Sequence, residues 1–126
     1  MQKEFIPYEQ ALELKELGFD EPCFARYDPL KVLVTISRPQ NNSYYKGSVP
    51  SFLAAPIFSQ AFRWFREKHQ LHSTITSISQ ESWQWHITKP GESLGKLYDE
   101  DFYTYEEAEL ACLKKLIEIV KKKSFA

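Results

Sequence analysis

Three stretches of the chain repeat their apolar residues at helical spacing. In PYEQALELKELGF (7–19), Tyr8, Ala11, Leu14 and Leu17 recur every three residues, while Glu9, Glu13 and Glu16 line the other side. Pro7 suits a first helical position, where its missing N–H would be unpaired anyway. Gly18 is placed for a left-handed stop, after which Phe19 folds back on Leu14. A second helix runs from Pro56 to about Lys68. Phe58, Ala61, Phe62, Phe65 and His69 share its apolar face, edged by Arg63 and Arg66, with Ile57 and Trp64 roughly opposite. The third helix is TYEEAELACLKKLIEIVKKK (104–123), with Leu110, Leu113, Leu116, Ile117 and Val120 on one face. Thr104 and Glu107 have capping-box spacing, with Tyr103 available as a staple onto Ala108. Acids give way to lysines along the helix, in the order the macrodipole favours.

Between these helices the period drops to two. Short β-favouring runs near 23–27 and 31–37 flank an Asp28-Pro29 turn. Strands near 73–79 and 83–89 form a second hairpin, in which Trp83, Trp85 and Ile87 alternate with Gln84, His86 and Thr88. Residues 38–51 (RPQNNSYYKGSVPS) read as a long loop on composition, and loops of that length are functional or mobile. The elements assemble into an α+β fold: three helices packed on a small antiparallel sheet of two hairpins.

At 126 residues the chain has the size of one domain, spanning 1–126. Hydrophobic residues make up 43% and charged residues 26%, ordinary for a globular protein, whereas aromatics at 15% point to a core or surface built on rings. A formal charge of −1 gives no overall pull toward nucleic acid or an anionic membrane, so basic recognition would need a local patch. Cys23 and Cys112 are too few for a disulfide framework, and no apolar window reaches membrane-spanning length. Both features suggest a cytoplasmic protein with reduced thiols.

The segments QAFRWFREKHQLHS (60–73), LYDEDFYTYEEAELACLKKLIEIVK (97–121) and FIPYEQALELKELGFDEPCF (5–24) resemble a group of small uncharacterised proteins of gut Bacteroidetes, encoded in chromosomes and in mobile elements or phages. The aromatic-Arg helix, a variable hairpin, Thr-Tyr-Glu-Glu-Ala and a Leu/Ile/Lys helix recur there in this order. The likeness covers most of the chain but not residues 38–51. It implies a bacterial or phage intracellular origin and nothing catalytic.

Candidate chemistry is sparse. His69 and His72 are three residues apart but straddle a helix end, and His86 comes later, so metal-ligand spacing is weak and no metal or cofactor is expected. The chain has no Gly-x-Ser-x-Gly elbow and no P-loop, and Asp99 and Asp101 lie in an acidic loop. No catalytic residue is assigned.

Two binding readings remain. In the first, the chain is a protein-binding or accessory module without catalysis, monomeric or weakly self-associating, with Tyr44, Tyr45, Trp64, Trp83 and Trp85 as candidate partner contacts. Within that reading, Trp64 is expected to be covered, because large open apolar patches are uncommon. The hairpin tryptophans are expected to complete the core, since a half-buried sheet turns its apolar face toward its helices. The second reading is a nucleic-acid-associated protein using basic helix ends: Arg63, Arg66, Lys68, Lys121, Lys122 and Lys123.

Overall fold

The first helix, α1 (Tyr8–Glu16), ends as its sequence demands. Gly18 takes φ +101°, and the N–H groups of Gly18 and Phe19 bond the carbonyls of Lys15 and Leu14 at 3.0 and 2.9 Å. This paired closure satisfies carbonyls that a helix end otherwise leaves bare, and it turns Phe19 inward, where it is fully buried. The computed structural model describes residues 2–47, 51–92 and 101–124. By their backbone contacts these fall into two compact units, Met1–Gln60 and Ala61–Ala126.

In the first unit, β1 (Cys23–Tyr27) pairs antiparallel with β2 (Leu33–Gln40) and with the two-residue β3 (Leu53–Ala54), in the order β2-β1-β3. The Asp28 carboxylate closes the β1–β2 turn by accepting from the N–H groups of Leu30 and Val32 at 2.8 and 3.0 Å. Lys31, at φ +65°, occupies the left-handed position of that turn. Segment 38–51 is not one loop. β2 continues to Gln40, and α2 (Asn42–Tyr45) follows, capped by Asn41, which accepts from Tyr44 N at 2.9 Å. Residues 48–50 lie outside the described set.

Buried Asn42 ties this region together. Its amide donates to the Phe19 carbonyl at 3.3 Å and accepts from Ala54 N at 2.9 Å. The amino-terminal segment is laced on by Ile6 N to the Pro56 carbonyl at 2.9 Å and by the Tyr27 hydroxyl to the Ile6 carbonyl at 2.6 Å.

In the second unit, β4 (His72–Ser79) and β5 (Ser82–Thr88) form the second hairpin as a separate two-stranded sheet. The fold is therefore α+β with small antiparallel sheets, but the two hairpins do not share one sheet. The last helix, α4 (Tyr105–Ser124), packs along β5 and β4. It covers the face where Ile75 stands opposite Trp85 and Ser73 opposite Ile87. Thr104 caps it, accepting from Glu107 N at 3.1 Å, while Tyr103 is exposed and makes no staple. Of the apolar face expected on this helix, Leu113, Leu116, Ile117 and Val120 are buried and Leu110 is half-buried.

The remaining helix, α3 (Phe58–His69), runs across the boundary between the units. Its buried arc differs from the one predicted. Trp64 is buried with Phe58, Ala61 and Phe65, while Phe62 is only half-buried. At 100° per residue Trp64 lies about 60° beyond Ala61, so a modest rotation of the stripe swaps the indole in for the Phe62 ring.

Candidate interaction surface

Alternation along β1 sends Cys23, Ala25 and Tyr27 inward and leaves Phe24 and Arg26 on the outer face. Pairing sets Val34 of β2 opposite Arg26 and Thr35 opposite Ala25, so Val34 joins the outer face. On the other flank, the Arg26 guanidinium lies 4.4 Å over the Phe52 ring. Tyr45 stands 5.8 Å from Phe52, and Tyr44 packs edge-on against Tyr45 at 5.5 Å. The result is a row of rings around one fixed cation.

The row is largely open at its ends: Tyr44 is 66% exposed and Phe24 61%. Leu30 and Val32, in the adjoining turn, are exposed too. Tyr45 is buried in the middle, where desolvation raises its phenol pKa despite the facing Arg26. The Arg26 Nε is itself buried and has no acceptor among the described residues. Beside the row lies a shallow cleft of about 410 Å³, floored by β2 from Val34 to Arg38 and flanked by Arg26, Gln40 and Tyr44. Among the described residues, two guanidiniums line it and no carboxylate does.

The other predicted contacts lie elsewhere. Trp64 and Trp85 are 4% and 3% exposed, and each offers almost nothing to a partner. Trp85 is buried because α4 covers its strand, and its indole N–H finds no acceptor among the described residues. Trp83 is half-covered, with Tyr105 edge-on at 5.4 Å and its backbone paired to Phe102 at 2.8 Å in both directions. Of the five candidate contacts, Tyr44 alone is well exposed. Phe24, Arg26, Phe52 and Arg38 were missed. Alternation in CFARY could have flagged the first two, but there the small residues point inward and the large ones out.

The basic residues are a second feature. Arg63, Arg66 and Lys68 are exposed on α3, and Arg63 reaches Glu67 at 3.8 Å. Lys121 is half-buried, Lys122 pairs with Glu118 at 2.9 Å, and Lys123 approaches Glu92 at 4.0 Å. Lys89 shares the same Glu92 oxygen at 3.2 Å. Burial, then Lys123 and Lys89, depress the His69 pKa, so the ends of α3, β5 and α4 meet in one cationic corner.

Reactive chemistry is not assembled in the described residues. Burial pushes both thiols up to about 12, which keeps them protonated and inert. Both cysteines are free. Among the described residues, no group of three or more His, Cys, Asp or Glu is placed to hold a metal, and Asp99 lies outside them. A cleft of about 490 Å³ lies between the end of α1 and α2, and its Asp20, Asn42 and Ser43 are already engaged in hydrogen bonds. There Asp20 accepts from both the N–H and the hydroxyl of Ser43. No helix among the described residues is long and apolar enough to cross a membrane. No protein-family model, curated protein or solved structure matches the chain.

Proposed function

We propose that the chain is an intracellular protein-binding module of bacterial or phage origin, working without catalysis of its own. Its contact surface is the outer face of the β2-β1-β3 sheet. One observation carries this reading: large apolar side chains, Phe24 and Tyr44 above all, stand open around a guanidinium already held in place by Phe52. Rings supply contact area at low rotamer cost, and arginine and aromatic residues are favoured at interface centres. Two free, buried thiols suit a reducing compartment.

The test is a pull-down from the native host with the wild-type chain and a Phe24→Ser/Tyr44→Ala double variant. Circular dichroism would first show that the variant keeps its fold. A partner retained by the wild type and lost by the variant is the expected result. Equal retention by both would move the contact surface elsewhere.

The corner where Lys89 and Lys123 meet around Glu92 beside His69 favours a second reading, association with nucleic acid through basic helix ends. Its lysines also serve the negative end of the α4 dipole, a sufficient reason for their presence, and this reading therefore ranks second. Fluorescence anisotropy with labelled DNA and RNA across a salt series tests it. Phosphate binding requires affinity to fall steeply as salt rises.

A further inference from the structure

We infer that the open edge of β2 takes an extended, acidic segment of a partner protein as a fourth strand along Leu33–Ser37, with the segment's carboxylates meeting Arg26 and Arg38. The inference rests on the protein-binding reading and names the chemistry of the partner.

The edge comes first. Among the described residues, β2 pairs with β1 on one side only, and in the order β2-β1-β3 it ends the sheet. Half of its backbone N–H and C=O groups therefore point away from the ladder, which makes an edge a template for an added strand. Most natural edges are blunted by charge, proline or a bulge. β2 has these devices toward one end only: the register shift, which on β2 falls between Thr35 and Gln40, and within it Arg38 and Pro39. Leu33–Ser37 carries neither charge nor proline. Pairing has a defined start and stop.

Charge chooses the occupant. Among the described residues, the cleft along this stretch presents Arg26 and Arg38 and no acidic side chain. A strand laid there points alternate side chains toward the outer face, where carboxylates find guanidiniums and apolar residues find Val34. Arg26 is preorganised for this by its stacking on Phe52, so little rotamer freedom remains to be lost on binding.

The experiment uses the full chain with three labelled probes: a peptide of alternating Glu and Val, its Lys–Val counterpart, and an oligothymidylate. Affinity is read by anisotropy, and amide hydrogen exchange is followed residue by residue. The expected result is that the Glu–Val peptide binds, protects alternate amides within Leu33–Ser37, and binds Arg38→Glu about tenfold more weakly or worse. Equal binding of the Lys–Val peptide, protection confined to other elements, or tighter binding of oligothymidylate would each overturn the inference. So would protection of the same amides without any probe in a dimer detected by sedimentation, because the occupant would then be a second copy. If no peptide binds while partner capture still depends on Phe24 and Tyr44, the acidic-strand inference fails and the protein-binding reading stands. Loss of both results ends both.

Discussion

The two hairpins read alike in sequence and differ in what covers them. On β4–β5 the large residues turn inward: Trp85 and Ile87 are buried under α4, and Gln84 and His86 take the other side. On β1–β2 the buried positions belong to Cys23, Ala25 and Tyr27, while Phe24 and Val34 face outward. Residue size is thus a poor guide to which side of a strand is inside. What decides is whether an element with an apolar stripe is within reach of that face. α4 covers one hairpin, and the outer face of the other is left open.

The sharpest way to break this contrast is truncation on the covered side. Trp85→Ala should lose about 3–5 kcal/mol of stability in chemical denaturation. A loss below about 1 kcal/mol would mean that α4 does not seal the hairpin.

Alkaline pH tests whether both interiors are equally dry. Cys23 sits under the first sheet and Cys112 on α4, where it faces Ser73, and burial raises both from 9.0 to about 12. A thiol held protonated in the fold contributes stability that is complete below pH 9 and is lost as pH rises toward 12. In that window the unfolded chain ionises first. The fall should reach roughly 1.4 kcal/mol per pH unit per thiol, and Cys23→Ala and Cys112→Ala should each flatten it by a similar amount. If only one variant does so, one interior is wetter than the other.

A smaller effect concerns the cover itself. Thr104→Ala removes the cap on α4 and should cost about 1 kcal/mol, measured by thermal or chemical unfolding. The smallest change is expected on the open side, where Phe24→Ser should shift stability by no more than about 0.5 kcal/mol. A loss of several kcal/mol at Phe24 would show that this ring is packed, and the contrast between the hairpins would collapse.

Much of the fold was legible because it rests on local rules. The Gly18 stop, the Thr104 cap, the Asp28 turn and both strand pairs follow from spacing and turn chemistry within a few residues. What was not legible depends on partners distant in sequence. β3 is only two residues long and exists because Asn42 and β1 hold it from either side, which no periodicity reports. Trp64 was placed off the stripe because the stripe was centred on the phenylalanines, and the burial of Tyr45 depends on Phe52, seven residues on. The candidate surface was half visible. Tyr44 stood out by composition, whereas Arg26 gains its meaning only once β1 brings it over the Phe52 ring.

The Asn42 clasp also bears on assembly. Ala54 N, on the side of β3 away from β1, is already taken by the Asn42 amide oxygen, so the sheet is closed at that margin and open at β2. A filament grown by strand pairing needs two open margins on every subunit, one to receive and one to offer. Within this sheet the one open margin can join two copies about a two-fold axis, β2 against β2, and that pairing then terminates. An edge of this kind, paired with its own copy, closes on itself and does not propagate.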